Sequence, residues 1–100
     1  MGVNMKMIQQ MQTRLEKMQR ELAETVVEGT SGGGVVKAQM TGGREFRGIS
    51  IDPSAVDPDD VEVLEDLITV AIQDAMNRAN ALAEEKMSAV TGGMSIPGLM

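Results

Sequence analysis

The sequence contains no cysteine, histidine, tryptophan or tyrosine, and Phe46 is its only aromatic residue. Without cysteine there is no disulfide framework and no thiolate metal site, and without histidine the commonest general base and metal ligand is missing. No apolar run approaches the length of a membrane span, so we expect no membrane association. The first dozen residues turn polar quickly, which argues against a signal peptide and favours the cytoplasm.

Apolar spacing predicts a helix over residues 3–24. Its apolar positions recur at steps of three and four residues: Ile8, Met11, Leu15, Met18 and Leu22. This is the narrow seam of a helix that pairs with one other helix, although a helix lying on a core uses the same spacing.

The sequence pattern predicts three short strands that form an antiparallel sheet, at residues 25–29, 35–41 and 44–52. Gly42 and Gly43 predict a tight two-residue hairpin turn, because both residues are free to take positive φ. In the third strand, Phe46 and Ile49 stand three residues apart, so regular alternation would place them on opposite faces of the sheet. This predicts either a strand that is apolar on both faces or a bulge near Gly48.

A second long helix, continuous or broken near Asn77, is predicted from Asp57 as N-cap to about Val90. The resulting fold class is α/β (α+β): helix, three-stranded antiparallel sheet, helix. We expect one domain over residues 1–91 and a flexible tail over residues 92–100. Because a core with one aromatic residue is marginal, we also expect a homodimer. Its interface would use apolar residues of the sheet and second helix: Val36, Phe46, Ile49, Ile51, Leu67 and Ile68.

Charge is unevenly distributed within the net −6. Residues 1–50 carry seven bases and five acids, whereas residues 51–100 carry two bases and ten acids. On the first helix, Arg14, Lys17 and Arg20 are spaced three residues apart and form one ridge, and Lys6 lies nearer the N-terminus. Such a ridge can contact phosphates without reading bases, but an ordinary solvated helix face would look the same.

The glycine-rich segment 28–54 is not a nucleotide loop, because its glycines lead into a strand and no Gly-Lys-Ser/Thr follows them. The acidic cluster at residues 57–66 does not have the spacing of a calcium loop. Helix capping and a solvated face explain the cluster instead. We therefore expect no enzymatic activity, no cofactor, no metal and no small-molecule substrate.

Several segments together resemble the YbaB/EbfC family of bacterial nucleoid-associated proteins. They are "MIQQMQTRLEKMQREL", "GTSGGGVVKAQMTG", "ISIDPS", "LEDLITVAIQDAMNRA" and "GGMSIPGLM", which cover nearly the whole chain. The resemblance implies a homodimer joined through its sheets, with helices projecting like the arms of tweezers. It implies binding to double-stranded DNA with little sequence preference, on the nucleoid in the cytoplasm, with a role in nucleoid organisation and an influence on gene expression.

Carried onto this sequence, the resemblance implies DNA contacts from the first helix and from the end of the last one. The candidates are Lys6, Arg14, Lys17, Arg20, Arg78 and Lys86. The alternative function is a non-DNA coiled-coil interaction module or a prefoldin-like chaperone subunit. That class needs helical seams much longer than the one here.

Overall fold

The computed structural model describes residues 5–90, which form two helices and one three-stranded sheet. The elements are α1 (Met5–Glu24), β1 (Val26–Ser31), β2 (Val36–Thr41), β3 (Phe46–Ile51), a 3₁₀ turn (Pro53–Ala55) and α2 (Val61–Val90). The sheet is antiparallel throughout, with strand order β1-β2-β3. The predicted fold class is therefore confirmed. Because α2 is continuous over 30 residues, the alternative of a broken helix is wrong.

The core lies between α2 and the first two strands. It is built from Val36, Ala38 and Met40 on β2 and from Ala71, Ala75 and Ala79 on α2, all buried. The three alanines recur every four residues and so form one face of the helix. Their short side chains let α2 approach the sheet closely, and Gly29 of β1 completes the contact because it faces the backbone of the helix directly.

Two polar contacts attach α2 to β1. The Ser31 hydroxyl donates a hydrogen bond to the Leu67 carbonyl at 2.5 Å, and the Thr30 N–H donates to the Asp74 carboxylate at 2.9 Å. The Thr30 N–H and, secondly, the Arg78 side chain hold the pKa of Asp74 below its ordinary value. Because β1 is an outer strand, this carboxylate satisfies a backbone donor on the edge of the sheet.

The third strand carries a bulge, which was one of the two alternatives that its sequence pattern left open. Gln39 lies opposite Gly48 and Met40 lies opposite Phe46, which leaves Arg47 as an extra residue on β3. Paired residues of neighbouring strands share a face, so the apolar residues of β3 all lie on the face that carries the core: Phe46, Ile49 and Ile51. Since α2 packs on β1 and β2, however, most of β3 stays uncovered.

The hairpin between β2 and β3 differs from its prediction. The left-handed position falls on Arg44, with φ of 68°, and neither Gly42 nor Gly43 has positive φ. Gly42 is needed for packing instead, because a Cβ there would lie 2.8 Å from Leu22 Cδ2 and 3.0 Å from Leu82 Cδ2. The glycine thus makes room for two leucines that belong to different helices.

The predicted N-cap of α2 is also wrong, since the helix begins at Val61 rather than after Asp57. Asp57 instead closes a separate turn: its carboxylate accepts from the Asp59 N–H at 2.9 Å, and its carbonyl accepts from the Asp60 N–H at 2.9 Å. The strand boundaries shift by one or two residues; β1, for example, continues to Ser31. The predicted tail, residues 92–100, lies outside the described residues.

Candidate nucleic-acid interface

The two helices run antiparallel beyond the sheet and form one arm. Leu22 of α1 lies beside Leu82 of α2, where both approach Gly42. Further along, Lys86 Nζ lies 2.9 Å from the Glu21 carboxylate. Advancing along α2 therefore means moving back along α1. We call this pair of helical segments, from Leu82 to Val90 and from Met5 to Leu22, the arm.

The predicted helical seam of α1 is covered over only part of its length. Met18 and Leu22 are each 7% exposed, whereas Ile8 is 38% and Met11 46% exposed. Within residues 5–90, α2 covers α1 only up to this point, since Val90, the last residue described, lines a cleft together with Arg14 and Met18. The pairing of two helices is therefore present from Met18 to Leu22, and the first half of the seam has no cover within residues 5–90.

The structure brings three of the six candidate bases together. Arg14 and Lys17 of α1 and Lys86 of α2 line an open cleft of about 280 Å³ at the end of the arm. Lys6 and Arg20 lie on α1 outside this cleft, and both are exposed. The four bases of α1 span fourteen residues, or about 21 Å of helix. Arg78 lies elsewhere, in a groove over β1 that Thr30 and Glu85 also line.

The candidates differ in how strongly carboxylates already engage them. Arg78 Nε lies 3.2 Å from Asp74 and Lys86 Nζ lies 2.9 Å from Glu21, so each would have to exchange a carboxylate for a phosphate. The Lys86 hydrogen bond is the main cause that lowers the pKa of Glu21. Across residues 5–90, Arg14, Lys17 and Arg20 form no salt bridge. These three bases are the ones most ready to meet an anion.

Sequence reasoning missed the carboxylates that hold Arg78 and Lys86. The Asp74–Arg78 pair has the i,i+4 spacing that signals a helical ion pair, so the sequence did contain a signal for it. The Glu21–Lys86 pair joins residues 65 positions apart and has no local signal. The other bases lie on or near the sheet, where Arg47 approaches Glu45 at 3.8 Å and Arg44 donates to Asn80 at 3.4 Å.

The acidic cluster at the start of α2 lies far from the end of the arm, although two other acids of the second half of the chain, Glu84 and Glu85, lie on the arm itself. Six acids sit in the turn before α2 and in its first two turns: Asp57, Asp59, Asp60, Glu62, Glu65 and Asp66. Along α2, Val90 lies about 36 Å from Asp66, the last acid of the cluster, and about 45 Å from the start of the helix. At physiological salt this distance is several Debye lengths, so the cluster repels an anion at the arm only weakly. Between Met5 and Val90, no group of acids is arranged to hold a metal ion.

The residues predicted for a dimer interface fall into three classes. Val36 is fully buried beneath α2 and offers no surface to a partner. Leu67, Ile68 and Ile51 are half-buried and pack against the core. Only Phe46 and Ile49, 49% and 38% exposed, present apolar surface freely.

Comparison with known proteins agrees with this architecture. Residues 1–94 match the model of the YbaB/EbfC DNA-binding family. A nucleoid-associated protein of Chloroflexus aurantiacus is 56% identical over 90 residues, which cover 90% of each chain. One from Caldanaerobacter subterraneus is 50% identical over 94% of this chain and 85% of its own length.

Among solved structures, an uncharacterized protein from Helicobacter pylori superposes with a TM-score of 0.63 at 20% identity, over 88% of this chain and 99% of that one. At this identity the likeness concerns the fold alone. No helix within residues 5–90 combines the length and apolar character needed to cross a membrane. The family model covers nearly the whole sequence and two curated relatives share half of their residues with it, so this chain belongs to the YbaB/EbfC DNA-binding family.

Proposed function

We propose that the protein is a nucleoid-associated homodimer that binds double-stranded DNA through the basic surface of its arms, with little sequence preference. The role is binding rather than catalysis, exerted on the nucleoid, with compaction of DNA and effects on transcription as its consequences. The observation that carries the proposal is the exposed ridge of Arg14, Lys17 and Arg20, three bases that form no salt bridge within residues 5–90.

The chemistry of the ridge favours phosphates over bases. Arginine and lysine on a helix face satisfy phosphate oxygens, and such contacts carry no sequence information directly. Between Met5 and Val90 the arm presents no aromatic side chain to insert between base pairs. Unrelated duplexes of equal length should therefore bind within about tenfold of one another. A thousandfold preference for one site would indicate base readout and contradict the proposal.

Dimerisation is supported by the uncovered apolar face of β3. Phe46 and Ile49 continue the buried face of the sheet beyond the reach of α2, and β3 is also an outer strand with a free hydrogen-bonding edge. A second copy that packs on this face would bury both features at once. Interfaces between identical subunits are more apolar than the rest of a protein surface, which fits this exposed face.

The DNA proposal is tested by replacing Arg14, Lys17 and Arg20 together with glutamine, which keeps helix propensity. If about half of the eight α1 bases of a dimer contact phosphates, the logarithm of the binding constant falls with the logarithm of salt with a slope near −4. The triple variant should bind far more weakly and with a flatter slope in gel-shift titrations.

The matched control replaces Lys37, Arg44 and Arg47 with glutamine, which removes the same charge from the sheet. This control should bind DNA nearly as well as the parent, and circular dichroism should show both variants folded. If the helix variant binds like the parent, the ridge is only a solvated face and the non-DNA interaction module becomes the better interpretation. If both variants lose affinity equally, net charge rather than the ridge governs binding.

The dimer is tested separately with Phe46→Asp, which places a charge on the apolar face of β3. Sedimentation equilibrium at micromolar concentration should give twice the monomer mass for the parent and a lower mass for the variant. Val26→Asp is the matched control, because Val26 is 53% exposed but pairs with Thr41 on the opposite face of the sheet. A parent protein that sediments as a folded monomer would refute dimerisation without touching the DNA proposal.

A further inference from the structure

The outer edge of β1 carries backbone groups that the sheet does not use. The Thr30 N–H donates to Asp74 rather than to β2, so Thr30 and Lys37 form a pair without hydrogen bonds between the strands. Such pairs alternate along an antiparallel ladder, which places the N–H and C=O groups of Val26 and Glu28 on the same outer edge. Within residues 5–90, no backbone hydrogen bond from outside the sheet reaches either residue. The edge therefore offers free donors and acceptors at every second residue.

A groove of about 650 Å³ lies between this edge and α2. We call it the β1 groove. The helix lines it with Arg78, Ala81, Leu82 and Glu85, whose spacing defines one helix face. Seven residues of helix rise about 10 Å, which is the length of three residues of strand. The β1 groove thus joins an open strand edge to a helix surface that is apolar in the middle and charged at each end.

The unbalanced charge of the β1 groove is negative. Arg78 Nε lies 3.2 Å from the Asp74 carboxylate, so the charge of this base is already matched. Within the described part of the chain, Glu28 and Glu85 form no salt bridge. The Glu28 carboxylate accepts a hydrogen bond from the neutral Gln39 amide at 3.0 Å and keeps its charge. The β1 groove therefore attracts a base on either side of the strand edge.

We propose that the β1 groove binds an extended, basic segment of another protein, which adds a fourth strand to the sheet beside β1. Main-chain hydrogen bonds to the free edge supply affinity, and the side chains of the added strand alternate between two faces. On one face they meet Ala81 and Leu82, so these positions are apolar. On the other face they meet Glu28, because the adjacent Gly29 is the residue that faces α2. The segment therefore alternates apolar residues with lysine or arginine.

Charge disfavours the other occupants of this groove. Two copies of this chain paired edge to edge would bring two negative grooves together, and like charges across a strand pair are destabilising. The phosphates of DNA would meet Glu28 and Glu85 in the same way. An alternating basic strand instead gains opposite-charge pairs with these acids. The interaction is thus separate from the DNA binding proposed for the arm.

The test combines the full chain, labelled with ¹⁵N, with the capped peptide Lys-Val-Lys-Val-Lys-Val-Lys. A strand bound at the edge gives the Glu28 N–H an acceptor, so hydrogen exchange at this amide should slow by about tenfold or more at saturation. The Gly29 N–H already points toward β2 and serves as the internal reference, which should change little. Exchange at Glu28 that stays unchanged up to about 1 mM peptide would overturn the proposal.

A second peptide and two variants separate strand addition from simple charge attraction. The block peptide Val-Val-Val-Lys-Lys-Lys-Lys has the same composition and should bind about tenfold more weakly in fluorescence anisotropy. Ala81→Lys places a base in the β1 groove and should weaken the alternating peptide by about tenfold. Gln73→Lys is the matched control, because it adds the same charge at an exposed position of α2 outside the groove. Equal affinities for the two peptides, or for the two variants, would contradict the inference.

Exchange measured without any peptide tests for a second copy at the edge. Protection of the Glu28 amide that increases with protein concentration would show that another copy of this chain occupies the β1 groove, and it would overturn the proposal. Protection that appears only with the alternating peptide supports it. All these measurements are made without DNA, so the inference and the proposed function can fail independently.

Discussion

Gly29 is the position where a single added carbon should do most damage to the fold. A Cβ built on Gly29 would collide with the Ala71 carbonyl oxygen and the Ala75 backbone nitrogen, and it would lie 2.7 Å from Ala75 Cα. Ordinary carbon contacts begin near 3.4 Å. The colliding atoms belong to the backbone of α2, so no side-chain rotation can relieve them. In Gly29→Ala the helix must therefore retreat from the sheet by about 1 Å.

The cost depends on the contacts that the retreat disturbs. Overpacking a core costs about 1–3 kcal/mol, and a rigid backbone obstacle places this site at the upper end. The retreat also loosens the contacts of the three buried alanines with β2, because dispersion attraction falls steeply with separation. We expect Gly29→Ala to lower the free energy of unfolding by about 2–3 kcal/mol. With a urea m-value of about 1–3 kcal/mol/M, the midpoint falls by about 0.7–3 M.

The assay is urea unfolding followed by circular dichroism, at one fixed protomer concentration because a dimer makes stability concentration-dependent. Gly43→Ala is the matched control: its Cβ would meet only Thr41 Oγ1 at 3.6 Å and Ala23 Cα at 4.0 Å, and Gly43 lacks positive φ. The control should change stability by less than about 1 kcal/mol in either direction. If Gly29→Ala is as stable as Gly43→Ala, the close approach of α2 to β1 is not what holds the helix in place.

Two further predictions concern the carboxylates on the helices. Glu21→Gln removes the carboxylate that holds Lys86, so it should tighten DNA binding in gel-shift titrations. The slope of the binding constant against salt should steepen by about 1 for each Lys86 that gains a phosphate. Weaker or unchanged binding would mean that Lys86 never reaches DNA. The pKa of Asp74 is lowered in the folded protein, so its stabilising effect is present above the unfolded value near 3.8 and is lost as the pH falls through the folded value. Urea midpoints measured from about pH 5 to pH 2 should therefore fall less in Asp74→Asn than in the parent, and identical pH profiles would exclude this carboxylate from acid unfolding.

Local patterns predicted those features that local forces decide. The spacing of Phe46 and Ile49 left two alternatives, a strand that is apolar on both faces or a bulge near Gly48. The structure has the bulge, whose extra residue lets these two side chains share a face. The helical spacing of α1 and the apolar run of α2 similarly indicated the two helices. Each of these signals lies within a few residues of the feature that it describes.

Features that depend on distant contacts were not predictable in the same way. Asp57 and Pro58 form the usual start signal of a helix, yet they belong to a turn that precedes α2. Gly42 has the sequence context of a turn residue, but its small size serves two leucines 60 positions apart from each other. Gly29 gives no sign in the sequence that a helix backbone passes over it. Only the tertiary arrangement assigns these residues their roles.

The unequal lengths of helix and sheet explain why the protein has arms at all. Strands of six residues span about 20 Å, whereas the 30 residues of α2 span about 45 Å. Roughly half of α2 must therefore extend past the sheet, where α1 is the one element between Met5 and Val90 that packs on it. The buried stripe changes accordingly, from alanines that fit against strands to Leu82, which meets Leu22 of the other helix. An arm made of two helices exposes far more surface than a helix on a sheet, and on this extra surface the chain carries Arg14, Lys17 and Arg20, far from its own acidic cluster.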